Sequence, residues 1–81
     1  METRVAILSI IVEDTSEVET LNGILHDYSS YIIGRLGLPY RQKDINIICV
    51  VLDAPMDEIN ALTGAIGRLS GISAKVTYSK K

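Results

Sequence analysis

The chain has few of the residues from which disulfide-bonded or metal-binding sites are built. Its 81 residues include one cysteine, Cys49, and one histidine, His26, and they include no tryptophan and no phenylalanine. A single cysteine excludes an internal disulfide framework, and no set of cysteines and histidines has the spacing of a zinc site. We therefore expect no metal, no cofactor and a reducing, cytoplasmic location.

Long apolar runs and an excess of positive charge are also lacking. The apolar run near the N-terminus ends at Val12, which makes it too short for a membrane span, and it has no signal-peptide cleavage site. The formal net charge is -2, and the basic residues are scattered apart from the final two lysines. These features predict a single domain, residues 1–81, that enters no membrane and binds no nucleic acid directly.

Strand and helix patterns alternate along the chain. Strand patterns occupy residues 4–12, 32–38, 45–52 and 72–78, and apolar residues at helical spacing occupy residues 16–28 and 55–69. Ser16 and Glu19 fit a capping box at the start of the first helix, and Gly71 fits the end of the second. Gly64 and Gly67 inside the second helix predict that another element packs closely against it.

The order β-α-β-β-α-β predicts an α+β fold, the ferredoxin-like sandwich. Its antiparallel sheet has the order 4-1-3-2, and both helices lie on one face. The first and third strands are then central, and these are the two whose residues are apolar on both sides. Because the helices cover only one face, the opposite apolar face requires another molecule. We expect a homo-oligomer, either a dimer or a tetramer.

Five segments carry a resemblance to a known family: "IIVED", "LNGILHDY", "YIIGRLGLPYR", "DEINALTGAIGRLSGI" and "VTYSK". In order and over nearly the whole chain, they resemble the regulators of the iron-only hydrogenase system. The resemblance implies a free-standing, ACT-like domain, related to amino-acid-binding regulatory domains and to the effector domain of nickel-responsive repressors. It also implies a non-catalytic protein that binds a small effector, a protein partner in the hydrogenase system, or both.

The chain departs from both groups of relatives. Nickel repressors bind their metal through histidines and a cysteine, and "GRLGLPYRQKD" contains neither, so nickel sensing is not expected. The DNA-binding arm of those repressors is not expected either. ACT domains commonly bind effectors at the first strand-to-helix loop, which here offers Asp14, Thr15 and Ser16 but no glycine. The acidic character of this loop suits an ammonium group.

The remaining candidate site residues lie in residues 31–41. Arg35 and Arg41 can hold a carboxylate or a phosphate through forked hydrogen bonds, with Tyr40 as a wall and Gly37 allowing close backbone approach. In the alternative interpretation, this segment is an edge strand that meets its counterpart in another subunit. The sequence leaves both interpretations open.

Other polar residues have simpler explanations than catalysis. His26 near a helix end suits the terminal carbonyls, and Cys49 within an apolar strand suits a small buried hydrophobe. No combination of nucleophile, base and oxyanion donors can be assembled, so we expect no enzyme. Two alternatives to the regulator remain, namely an interaction or assembly module without a small ligand and an enzyme with a composite site between subunits.

Overall fold

The computed structural model describes residues 2–81, and in that range it contains a four-stranded sheet and two α-helices. The elements are β1 (Arg4–Val12), α1 (Val18–Asp27), β2 (Ile32–Tyr40), β3 (Ile45–Ala54), α2 (Met56–Gly67) and β4 (Ile72–Tyr78). All strand pairs are antiparallel, and the order is β2-β3-β1-β4. This is the predicted 4-1-3-2 order read from the other edge, so the ferredoxin-like fold is confirmed. Neither helix in the described range has the length and apolarity needed to cross a membrane.

The core lies between one face of the sheet and both helices. Alternate residues of β1 are buried, and Leu8 of β1 lies directly opposite buried Val50 of β3. The helices contribute the aliphatic residues of their inner stripes, such as Leu21 and Leu62. Because both helices pack on this face, the opposite side chains of the two central strands have no cover within the chain.

The first helix begins later than its capping pattern predicts. A 3-10 turn at Thr15–Glu17 precedes α1, which starts at Val18. The cap is the carboxylate of Asp14, whose Oδ1 accepts a hydrogen bond from the backbone N–H of Ser16 at 3.0 Å. The predicted capping box at Ser16 is therefore wrong, because the preceding aspartate satisfies the free N–H through a turn of its own.

Helix α2 ends at Gly67, earlier than the predicted end beside Gly71. Gly71 instead lies in the turn before β4, and it fixes the loop that follows β1. Its φ is 71°, in the left-handed region that favours glycine. Its carbonyl oxygen accepts hydrogen bonds from the backbone N–H groups of Glu13 at 2.7 Å and Asp14 at 3.3 Å. A Cβ on Gly71 would lie 2.3 Å from the Cβ of Asp14, so both the turn and the close approach require glycine.

Gly64 and Gly67, the two glycines inside α2, do not mark a close contact within the chain. A Cβ at Gly67 would meet nothing within 4 Å, and one at Gly64 would meet only the side chain of Arg68 at 3.6 Å. The close packing predicted at Gly64 and Gly67 is wrong for the isolated chain. The buried face of α2 is made by other residues, such as Ile59 and Ile66.

Strand β2 contains a bulge that changes which of its residues share a face. The register shifts between Ile32 and Gly34, so Ile33 is an extra residue on this strand. Ile32 then shares the helix-facing side with Arg35, and Leu36 lies on the other side. Strict alternation from Ile32 would put Leu36 on the same face, but one inserted residue reverses the alternation.

Candidate ligand groove and apolar sheet face

The sheet face opposite the helices, called the open face below, is apolar over three adjacent strands. Cross-strand pairing places Ile11, Ile47 and Leu38 side by side in one row across β1, β3 and β2. The exposed aliphatic and aromatic residues of this face are Val5, Ile7, Ile11, Leu36, Leu38, Tyr40 and Ile47, each between 38% and 64% exposed. The fourth strand, β4, completes the face with the polar residues Ser73, Lys75 and Thr77.

The apolar area exposed on the open face is larger than that of aliphatic residues scattered singly over a surface. By their exposed fractions, the seven residues together present roughly 600 Å² of surface, at the upper end of the largest apolar patch on a typical monomer. A standard protein interface covers about 800 Å² on each partner. The apolar part of the open face is therefore large enough to form most of one side of an interface.

Cys49 lies near the middle of the open face. It is paired with Ser9 on β1 and Leu36 on β2, and it is half-buried. The sequence predicted a buried position, but only the helix-facing residues of β3 are fully covered. Its thiol therefore reports on whether another molecule covers the open face.

A second feature, the α1–β2 groove, lies on the opposite side of the sheet. Arg35 projects from the helix-facing side of β2, and its Nη2 donates a hydrogen bond to Oδ1 of Asn22 on α1 at 2.9 Å. A depression of about 310 Å³ lies beside this bond and is lined by Val12, Val18, Asn22, Arg35, Gly37, Leu38, Pro39, Asn46 and Ile48. A neighbouring depression of about 360 Å³ is lined by Asn22, Leu25, His26, Ser29, Ile32 and Arg35.

The groove exists because the helix-facing side of β2 has no bulky aliphatic residue beyond Arg35. Gly37 and Pro39 occupy this side after Arg35. A Cβ at Gly37 would meet nothing within 4 Å, which shows that no side chain fills the space in front of it. A small ligand can therefore approach the strand backbone at this position.

The structure separates the predicted site residues into four places. Arg35 and Gly37 both line the groove, as one sequence interpretation required. Tyr40 lies on the open face, and Arg41 begins the 3-10 turn after β2 and does not line the groove. The predicted clamp of Arg35 and Arg41 is therefore not assembled within one chain, because they lie on the strand and in the turn beyond it.

Asp14, Thr15 and Ser16 lie in the loop that Gly71 holds in place, and they do not line the groove. The carboxylate of Asp14 is already used as the cap of the 3-10 turn. All three residues are exposed. Within the chain, this loop and the groove are separate candidate regions.

Two residues of the groove were missed by sequence reasoning. Asn22 lies in the middle of α1, where nothing in the helical pattern distinguishes it from other exposed positions. Asn46 had a detectable signal, since it is the polar residue within the otherwise apolar segment 45–52. An isolated amide in a central strand indicates either a hydrogen-bond partner within the chain or a ligand site. Asn46 lines the depression beside Arg35.

Ionisable groups do not converge within the described part of the chain. Residues 2–81 contain no group of three or more histidine, cysteine, aspartate or glutamate side chains that could hold a metal ion. In the same range no polar or charged side chain is buried. His26 is exposed in the last turn of α1, at the margin of the second depression.

A comparison with solved structures found two informative likenesses. The uncharacterized protein TM1266 from Thermotoga maritima has a TM-score of 0.94 and 39% sequence identity, over 98% of this chain and 100% of that one. A formyltetrahydrofolate deformylase from Pseudomonas putida KT2440 has a TM-score of 0.64 and 16% identity, over 90% of this chain but 28% of the deformylase. The second likeness concerns the fold alone.

A comparison with curated proteins gave no match. A family model with the description "TM1266-like: Iron-only hydrogenase system regulator, putative" matches residues 4–76. This match spans all of the sheet except the end of β4, and it includes both helices and the groove. Together with the likeness to the Thermotoga maritima protein, it shows that the chain belongs to the TM1266-like family that this description names.

Proposed function

We propose that the protein is a non-catalytic, cytoplasmic regulator in the iron-only hydrogenase system that acts as a homo-oligomer. In this proposal it regulates by binding a small effector, a protein partner, or both. The open face is the observation that carries the proposal, because its apolar surface needs a cover that one chain does not provide.

The chemistry of the open face favours a second copy of the same chain as that cover. Its charged residues lie near its borders, with Lys75 on β4 and Asp53 near the end of β3. Two copies packed through this face would therefore bury aliphatic rows against each other without opposing like charges at the centre. A two-fold interface uses the same patch on both subunits, so a flat apolar patch of low charge suits it.

The α1–β2 groove supports the effector part of the proposal. Neighbouring residues of β2 point to opposite sides, so Arg35 faces the groove and Leu36 faces the open face. A ligand that repositions Arg35 would act on the same strand that contributes to the subunit interface. Effector binding and subunit contact are thus coupled through β2 in this proposal.

A lysine in the central row of the open face tests self-association. Ile47 is 38% exposed, so the Ile47→Lys substitution leaves the new charge in water in a monomer and buries it in an oligomer. Sedimentation velocity should give a dimer or larger species for the wild type and a monomer for Ile47→Lys. The control is Ala61→Lys on the exposed surface of α2, which should keep the wild-type mass.

The reactivity of Cys49 provides a second readout that does not depend on mass. If the open face is covered in the oligomer, a thiol reagent should modify Cys49 slowly in the wild type and faster in Ile47→Lys. The Ala61→Lys control should react at the wild-type rate. Unchanged mass and unchanged thiol reactivity in Ile47→Lys would contradict the proposed interface.

A further inference from the structure

We propose that the α1–β2 groove binds a small monocarboxylate with an aliphatic body, and that Arg35 is the anchor for its carboxylate. This inference rests on the effector-binding part of the proposed function and does not depend on self-association. It assigns both the chemical class of the effector and the residue that recognises it.

The anchor is a guanidinium whose charge is not neutralised by the bond that holds it. Arg35 donates Nη2–H to the amide oxygen of Asn22 at 2.9 Å, and that oxygen carries no net charge. A guanidinium has five N–H donors, so the bond to Asn22 orients Arg35 and leaves donors for a ligand. The planar fork of N–H groups matches the two oxygens of a carboxylate.

The lining of the first depression favours one negative charge over two. Besides Arg35, its polar residues are the neutral amides Asn22 and Asn46. A phosphate dianion is usually held by several cations, by a helix N-terminus or by a concave set of backbone N–H groups. One arginine with two amides instead suits a monoanion that carries at most one further polar group.

The same lining disfavours an amino acid. None of the residues that line this depression is an aspartate or a glutamate, so nothing there pairs with an ammonium group. Val12, Val18 and Ile48 supply aliphatic walls instead. The volume of about 310 Å³ is at the lower end of small-molecule sites, which limits the body of the ligand to a short aliphatic chain.

The test uses 4-methylpentanoate as the probe, titrated into isotope-labelled full-length protein and followed by NMR. The side-chain amide signal of Asn22 and the Nε–H signal of Arg35 should shift with saturation. Inorganic phosphate and L-leucine, which has the same carbon skeleton with an added ammonium group, should produce weaker effects at equal concentration. The wild-type shifts locate the site without any substitution.

Two variants separate the anchor from general attraction by positive charge. Arg35→Gln should weaken binding about 10-fold to 100-fold, since a hydrogen bond to a charged group contributes that much to affinity. Arg41→Gln removes the same charge outside the groove and should change affinity less than about twofold. Both arginines are exposed, and thermal melting followed by circular dichroism checks that both variants remain folded.

Three results would overturn the inference. The first is that the Asn22 and Arg35 signals do not shift at about 10 mM 4-methylpentanoate, a concentration well above a millimolar dissociation constant for this probe. The second is that Arg35→Gln and Arg41→Gln weaken its binding equally. The third is that L-leucine or phosphate binds more tightly than 4-methylpentanoate. Sedimentation of the same samples separates this inference from self-association. An oligomer that ignores the carboxylate would defeat the inference alone, and a monomer that binds it would defeat the oligomer alone.

Discussion

Substitution of Gly71 by alanine tests how the loop after β1 is held in place. Gly71 has a φ of 71°, and its carbonyl accepts hydrogen bonds from the N–H groups of Glu13 and Asp14. An alanine Cβ would lie 2.3 Å from the Cβ of Asp14 and 3.1 Å from its backbone nitrogen. Backbone atoms cannot rotate away as a flexible side chain can, so the loop itself has to move.

The expected loss of stability has three parts. The left-handed conformation costs an alanine about 1 to 2 kcal/mol, relief of the overlap costs about 1 to 3 kcal/mol, and weakening of a backbone hydrogen bond costs about 1 kcal/mol. Alanine also restricts the unfolded chain, which returns about 0.4 to 1 kcal/mol. The Gly71→Ala variant should therefore lose about 2 to 6 kcal/mol in its free energy of unfolding.

Urea denaturation followed by circular dichroism measures this difference, at one protein concentration because self-association affects apparent stability. For a domain of this size, the loss corresponds to a decrease in Tm of at least about 8 °C. Gly64→Ala is the matched control, since its Cβ would meet only Arg68 at 3.6 Å and it lies inside a helix. That control should gain up to about 1 kcal/mol. A loss below about 1 kcal/mol for Gly71→Ala would refute the assigned loop contact.

Three further predictions concern single contacts, each measured by denaturant unfolding. Asp14→Ala should lower the free energy of unfolding by about 1 kcal/mol because it removes the cap of the 3-10 turn. Ser16→Ala should lower it much less, because the Ser16 hydroxyl is not the cap. A larger loss for Ser16→Ala than for Asp14→Ala would support the capping box instead. Tyr78→Phe should cost about 1 kcal/mol through loss of the hydrogen bond to Asn60, and an unchanged midpoint would show that the bond is not made in solution. Leu62→Ala should lower the free energy of unfolding by about 2 to 5 kcal/mol because Leu62 is fully buried in the core. A smaller loss would contradict the position of α2 on the sheet.

Much of the fold was predictable because burial leaves a periodic mark on the sequence. β1 and β3 are aliphatic on both sides, and this pattern placed them at the centre of the sheet. The face of β2 was not predictable, since the bulge at Ile33 reverses the alternation and depends on pairing with β3. Glycines were ambiguous for a similar reason, because the required contact at Gly71 and the open space at Gly67 look alike in sequence.

The candidate site was predictable in part. Arg35 and Gly37 were identified from their places in an interrupted strand, and both line the groove. Asn22 was missed because its bond to Arg35 joins residues 13 positions apart on different elements. Arg41 was paired with Arg35 by proximity in sequence, although the strand ends between them. Contacts between elements depend on how α1 packs over β2, which local patterns do not encode.

The measurement that most directly tests self-association through the open face is native mass spectrometry of gently purified wild-type protein. An oligomer should appear as a mass of two or more chains of 8.9 kDa each. An additional small mass that disappears in Arg35→Gln would agree with effector binding in the groove. A bare monomer across the micromolar range would contradict self-association, since the exposed aliphatic rows of the open face would then need no cover.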